Sequence, residues 1–298
     1  MRTGHVAVIG KPNVGKSTLI NAVVGQKIAA VSPRPQTTRH RQLGIFTTRD
    51  VQIIFVDTPG LHDPRHRLGQ YLNQEAREAL KQVNAVLWLV DASRDLDGED
   101  LKIASLIGSL NGKPALVIGL NKIDLVDSRV MESRETACKA ALPNVPVFPI
   151  SSTSGQGLPE LLNELNTHMP SGEPQFPGEQ VTDLYEREIA CELIREAALS
   201  ILRDEVPHCL AVRLDEYKER REGNAYVHAT LFVEKETQKG IVIGEGGRML
   251  KQIGMMARKE IEQMSGRNVY LELRVKVEKN WRNNEHALRQ FGYRIKRR

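Results

Sequence analysis

The sequence predicts an α/β fold: a mostly parallel sheet flanked by helices, followed by a smaller α+β domain. Three observations carry this reading. Short β-branched runs alternate with amphipathic segments from Val6 to about Met169. The stretch PSGEPQFPGEQVT, residues 170–182, breaks that alternation with three prolines and two glycines. Beyond it the apolar patterns follow the order helix, strand, strand, helix, helix, strand. The domains expected are 1–170, a linker at 171–182, and 183–298 with a basic C-terminal tail. A chain of 298 residues can bury a core in each.

In the first domain VAVIG, VQIIFVDTPG, NAVLWLVDAS, PALVIGLNKID and VPVFPISS read as buried parallel strands ending in polar loops. Ligands on such a sheet bind at the carboxyl ends of the strands. In the second, Leu184, Ile189, Leu193, Ile194, Ala197, Ile201 and Leu202 recur at helical spacing within Asp183 to Glu205, with Asp183 as the expected N-cap. CLAVRLDEY and AYVHATLFVE read as strands joined by KERREGN. TQKGIVI reads as a short helix, IGEGG as a turn, RMLKQIGMMARKEIEQMSG as a helix closed by Gly266, and NVYLELRVKVEK as a strand. In the tail, Trp281, Phe291 and Tyr293 either stack on bases or pin a terminal helix to the sheet; pinning is the preferred reading.

Composition narrows the function class. Apolar and charged fractions of 40% and 27% are those of a soluble globular chain. Cys138, Cys191 and Cys209 lack C-x-x-C spacing, which implies neither a disulfide framework nor a zinc site and fits a reducing cytosol. The N-terminal apolar run is too short for a signal peptide, and the longest one elsewhere, AVLWLV, is too short to span a bilayer. A cytoplasmic protein is expected. Charge is uneven: Lys+Arg against Asp+Glu is 19 to 16 in residues 1–170, 8 to 15 in 171–238 and 15 to 6 in 239–298. The last sixty residues therefore point to a polyanionic partner.

The stretch GKPNVGKST, Gly10 to Thr18, matches G-x-x-x-x-G-K-[ST] between a strand and a helix, the context in which backbone N–H groups cradle phosphates. Gly10, Lys11, Pro12, Asn13, Val14, Gly15, Lys16, Ser17 and Thr18 are the expected cradle, with Lys16 reaching the β- and γ-phosphates and Ser17 offering its hydroxyl to Mg²⁺. DTPG, at Asp57, Thr58, Pro59 and Gly60, ends a strand and places a carboxylate beside the metal and a glycine N–H near the γ-phosphate. NKID ends another strand. The Asp124 carboxylate there can accept from guanine N1–H and the 2-amino group, whereas adenine would leave a buried charge unpaired. Asn121 and Lys122 complete that motif. Ser151, Ser152 and Thr153 fall where a loop can present N–H groups to the base oxygen. GTP and GDP are the expected ligands.

The loop SPRPQTTRHR supplies Thr37 and Thr38. Thr38 is preferred as the switch threonine completing the metal set with Ser17 and Asp57. Leu61 stands after DTPG, where many such enzymes carry a glutamine that orients the attacking water. An aliphatic side chain cannot hold that water, so either turnover is slow without a partner or another group acts. Asn13 either helps hold K⁺ between phosphates, neutralising transition-state charge, or braces the loop through side-chain-to-backbone bonds. Lys16, Thr38, Gly60 and Asn13 are the expected catalytic set.

IGEGG contains G-x-x-G at Gly244 to Gly247, between two helical segments, after two strands and before a third. That order is the type II KH arrangement, in which the turn admits a nucleic-acid backbone and an apolar groove takes unstacked bases. Ile243, Gly244, Glu245, Gly246, Gly247, Arg248 and Lys251 are the expected RNA contacts, Glu245 pointing to solvent while Arg248, Lys251 and Arg258 carry the field. Ile241 and Ile243 are expected to face the groove or the core, core packing being the preferred reading.

GKPNVGKS, PQTTRH, DTPG, NKID and IGEGG, in this order and at this length, resemble the Era family of bacterial GTPases over nearly the whole chain. The resemblance implies a GTP-hydrolysing domain coupled to a KH domain that binds the 3′ end of 16S ribosomal RNA and assists assembly of the 30S subunit. It also implies loose association with the inner face of the membrane, which a basic tail permits through anionic lipids. A monomer is expected. Two other classes remain: an RNA-binding module regulated by guanine nucleotide with negligible hydrolysis, and a membrane-docked signalling GTPase whose KH-like fold contacts protein.

Overall fold

The structure, a computed structural model, describes residues 1–32, 34, 37–61, 64, 66–110, 112, 114–219 and 223–293. Pro35 and Gln36 of the switch motif, residues 220–222 of the charged connector and the last five residues of the basic tail lie outside the described residues. The chain forms two compact units: Met1–Ala29, Thr38–Asp63 and Leu72–Asp183 in one, and Ala30–Thr37, Pro64–Tyr71 and Leu184–Arg298 in the other.

The first unit is built on a six-stranded sheet in the order β2-β3-β1-β4-β5-β6. Its strands are β1 (Arg2–Ile9), β2 (Gln42–Thr47), β3 (Val51–Asp57), β4 (Ala85–Asp91), β5 (Ala115–Asn121) and β6 (Val147–Pro149). All neighbouring pairs are parallel except β2 with β3. The helices are α1 (Lys16–Val24), α2 (Arg67–Ala79, in this unit from Leu72 onward), α3 (Gly98–Gly108), α4 (Ser128–Ala141) and α5 (Leu158–Thr167). Strands buried on both faces explain the unbroken apolar runs: β3 and β4 are buried at every residue. Two apolar layers result. Val6, Val8, Phe55 and Leu87 pack on Leu19, Ile20 and Leu161 on one side, and Ile9, Trp88 and Ile118 pack on Ala76, Ile103 and Cys138 on the other.

Two elements depart from the sequence reading, strand β2 and the start of helix α6 (Glu186–Ile201). Strand β2 is antiparallel, lies at the sheet edge and was not among the predicted strands. The linker residues are also tied down: Ile45 N–H donates to Val181 O at 2.8 Å, and the Gln52 carboxamide bonds the backbone of Gln175 and Phe176. Asp183 is no N-cap. Its Oδ1 accepts from Leu43 N–H at 2.8 Å, and helix α6 begins after Tyr185, whose N–H donates to Glu188.

The second unit contains α6 (Glu186–Ile201), β7 (Ala211–Glu219), β8 (Ala225–Val233), α7 (Glu236–Ile243), α8 (Arg248–Ser265), β9 (Val269–Val277) and α9 (Glu285–Gln290). The sheet order is β7-β8-β9, antiparallel then parallel, with β9 at an edge. Alternation places Val227, Ala229, Leu231 and Val233 of β8 on the inner face, where they pack with Ile194, Ala197 and Ala198 of α6 and Ile253, Ala257 and Ile261 of α8. Part of the outer face is closed by the tail. Trp281 is fully buried and donates from Nε1 to Cys209 O at 2.7 Å, and Phe291 packs on Phe232 with ring centroids 4.7 Å apart. Pinning, rather than base stacking, is therefore the role of these tail aromatics.

Candidate nucleotide site and nucleic-acid groove

The predicted nucleotide residues collect at the carboxyl ends of parallel strands. The Gly10–Gly15 loop follows β1, Asp57 ends β3, Asn121 ends β5 and Ser151 follows β6. Helix α1 starts at Lys16, so its first N–H groups and its dipole face the loop. Gly15 has φ 101°, and a Cβ there would stand 2.3 Å from Asn121 Nδ2. Glycine is required on both counts.

Asn121 binds the loops to one another. Its Nδ2 donates to Val14 O at 2.8 Å, and its Oδ1 accepts from Ser152 N–H and Ser152 Oγ–H, both at 2.9 Å. The asparagine of NKID thus braces the phosphate loop and the SST loop. Lys122, with φ 68°, is held by Asp91 at 2.6 Å. Asp124 corrects one expectation: it is exposed rather than buried, because the 3₁₀ turn Ile123–Leu125 lifts it off the end of β5. A purine must itself cover the carboxylate for its charge to discriminate between bases. Thr153 is likewise exposed, while Ser151 is fully buried.

Ser17 Oγ donates to Asp57 Oδ2 at 2.8 Å and lies 2.8 Å from Thr38 Oγ1, which is 3.4 Å from the same carboxylate oxygen. The structure therefore brings Ser17, Thr38 and Asp57 together, as the motifs predict. Thr37 bonds instead to Arg34 O at 2.7 Å. Asp57 is fully buried, and its Oδ1 has no hydrogen-bond partner among the described residues. Two hydroxyls and a carboxylate with an unmatched oxygen form a hard donor set that fits Mg²⁺. Burial pushes the Asp57 carboxyl up, against the opposing effects of Lys16, Ser17, Thr38 and Gln42. Lys16 donates to Gly10 O and Lys11 O at 3.1 and 2.8 Å, and burial pulls its amine down to about 8.

Other motif side chains turn out to be scaffold. Thr58 is fully buried and donates to Val8 O at 2.7 Å, so its hydroxyl faces β1, away from any ligand. Val14 is buried in the core, leaving only its backbone for phosphate. Lys11 reaches Asp97 and Asp100 at the N-terminus of α3, at 2.8 and 2.6 Å, so its ammonium is spent on that capping box. Asn13 is exposed with φ 65°. Gly60 lies against the phosphate loop: a Cβ on it would meet Pro12 N at 2.6 Å. Leu61 packs into the core with Ala76 and Ile103, which removes it from any water-holding role.

Sequence reasoning missed Gln42 and Asp91. Gln42 lies opposite Asp57 in the ladder and donates to it at 3.3 Å. Its signal was the strand after the switch loop, which the charged run preceding it obscured.

In the second unit, Gly244, Gly246 and Gly247 have φ of 71°, 59° and 78°. This turn opens α8 and leads into a groove between α8 and the edge strand β9, lined by Gly247, Leu250, Lys251, Gly254, Arg258 and Tyr270 among others. Of the residues expected to meet RNA, Gly247 and Lys251 line this groove, whereas Leu250, Gly254 and Tyr270 were not foreseen. Glu245 points to solvent as expected, and there it pairs with Arg248, so the acid partly neutralises a base expected to attract phosphate. One expectation is corrected. Ile241 is 48% exposed and Val242 is the core residue, because α7 turns that side outward; Ile243 is half-buried.

Fold and site together define a P-loop GTPase domain joined to a KH domain. The family model described as "50S ribosome-binding GTPase" matches residues 5–122, and the KH domain model matches residues 205–282. Era in complex with MgGDPNP and nucleotides 1506–1542 of 16S ribosomal RNA is 37% identical, with a TM-score of 0.94 over 99% of this chain and 100% of that one. A single-substitution variant of Aquifex aeolicus Era bound to GDP·AlF₄⁻ matches with the same identity, coverage and TM-score. The chain belongs to the Era family of GTPases.

Proposed function

We propose that the chain is a GTP-binding and GTP-hydrolysing switch that holds the 3′ region of 16S ribosomal RNA in its KH groove and assists maturation of the 30S subunit. The observation that carries this reading is the coexistence, on one chain alike along its whole length to Era caught with nucleotide and RNA, of the Ser17–Thr38–Asp57 cluster and the α8–β9 groove. Residues 1–170 serve the nucleotide and 183–298 the RNA, with 171–182 between them.

In this reading the loop Gly10–Thr18, with DTPG and its neighbour Leu61, surrounds the phosphates. NKID and Ser151–Thr153 surround the base. Ser17, Thr38 and Asp57 hold Mg²⁺, which neutralises charge on the phosphates when bound. Lys16 swings from the loop carbonyls to the phosphates, and the Gly60 N–H meets the γ-phosphate. Asn13, exposed at the mouth of the loop, is the proposed K⁺ ligand; equal hydrolysis rates in K⁺ and Na⁺ buffers would reject that role. Residues 243–248 and Lys251 receive the RNA backbone. The chain acts as a cytoplasmic monomer, and its basic C-terminal residues supply any weak attraction to anionic membrane surfaces. Among the described residues no helix is long and apolar enough to cross a membrane.

The core position of Leu61 favours a second reading, in which the nucleotide regulates RNA binding and hydrolysis is negligible without a partner. Single-turnover GTP cleavage with and without small ribosomal subunits tests both. Stimulation supports the switch, and a flat near-zero rate supports the binding module. Calorimetry showing ATP bound as tightly as GTP would sink either.

A further inference from the structure

One residue lining the α8–β9 groove, Tyr270, is also half of an aromatic pair. Tyr226 of β8 and Tyr270 of β9 are direct neighbours in the parallel ladder, and their rings stack with centroids 5.7 Å apart and planes inclined by 19°. Two contacts anchor the Tyr226 side of the pair. The Tyr226 hydroxyl donates to Glu272 at 2.8 Å, and Arg274 holds the other oxygen of that carboxylate at 2.8 and 3.1 Å. Tyr226 is half-buried, while Tyr270 is 63% exposed.

Tyr270 belongs to both features: it lines the groove and forms the outer member of the stack. It also stands on the edge strand, so a chain leaving the groove around β9 passes this ring. The surroundings suit a polyanion, with Lys251 and Arg258 on the groove wall and Lys276 exposed further along β9. A braced, exposed ring beside a basic groove is the kind of platform on which an unpaired base stacks, whatever its identity.

We infer that the Tyr226–Tyr270 stack is a base-stacking platform that extends the RNA site by one nucleotide beyond the groove, with Tyr270 as the contact residue and Tyr226, through Glu272, as its positioning residue. The inference rests on the RNA-binding reading above. It adds a subsite with little sequence preference, so the platform raises affinity for a longer single strand without changing which bases the groove selects.

The test uses the full chain, GTP-loaded, and an RNA of 16S nucleotides 1506–1542 carrying 2-aminopurine at one position at a time. The expected result is one position whose fluorescence is quenched on binding, with quenching lost in Y270A, kept in Y270F, and affinity in Y270A about tenfold weaker. Should Y270A fail to fold, Y270L keeps apolar cover over β9 without a ring and is judged by the same criteria. RNA binding with a quenching pattern indifferent to the loss of the ring overturns the platform and leaves the functional reading intact. Y270F behaving like Y270A also overturns it, because the hydroxyl would then be the contact. Failure of the unaltered chain to bind this RNA overturns both.

Discussion

Asn121 ties two loops to its strand through one carboxamide, which satisfies Val14 O, Ser152 N–H and Ser152 Oγ–H together. Asn121→Ala should weaken GDP binding by roughly 10- to 100-fold, or about 1.4–2.7 kcal/mol, because two loops lose their common anchor. A fluorescent-nucleotide titration measures it. Asp91 supports the neighbouring lysine. Burial raises its carboxyl, but the Lys122 ammonium and the Ser93 hydroxyl and N–H outweigh burial and hold it below the usual carboxylate range. A carboxylate with a depressed folded value stabilises the fold above its unfolded pKa of about 3.9, and that stability is lost as pH falls through the folded value. Asp91→Asn should therefore cost about 1–2 kcal/mol at neutral pH and flatten the fall in melting temperature below about pH 4, as read from thermal melts across pH.

At the scale of elements, the central strands were legible because burial on both faces writes itself as an unbroken apolar run, as in β3 and β4. Edge elements lack that signature. QLGIFT of β2 follows a polar, arginine-rich loop, and its pairing with β3 depends on partners such as Asp183 that lie 140 residues away. The same distance rule hid the cap of α6: Asp183 has the right chemistry for an N-cap, but a long-range backbone donor claims it. Motif residues were legible as positions, while the direction of their side chains was not. Thr58 and Lys11 match the pattern and yet point into scaffold, because spacing encodes where the backbone bends and only packing decides which way a hydroxyl or ammonium turns. The tail shows the reverse, since pinning was already the preferred reading of its aromatics and Trp281 performs it. Trp281→Phe replaces the buried indole by a smaller ring and removes the donor to Cys209 O, and should cost about 1–3 kcal/mol in equilibrium denaturation.

Across the whole molecule, net charge of +5 hides a basic final sixty residues with 15 Lys+Arg against 6 Asp+Glu, and this is the term that sets RNA affinity and its salt dependence. Not every base contributes equally. Arg248 shares its charge with Glu245, both side chains being well exposed, whereas Lys251 lies on the groove wall. An exposed ion pair of this kind adds little to stability, so its effect falls on the field that an approaching phosphate meets. Glu245→Gln removes the opposing carboxylate and releases Arg248; it should tighten RNA binding roughly two- to tenfold with no change in melting temperature. Lys251→Ala should weaken binding evenly across RNA sequences and lower the slope of log affinity against log salt by about 0.7, the value for one phosphate contact on a single strand. Arg248→Ala should lower that slope by less, because part of its charge is already matched. Salt titrations of the three variants against one RNA order these effects, and an Arg248→Ala slope change as large as that of Lys251→Ala would show that Glu245 does not shield the turn.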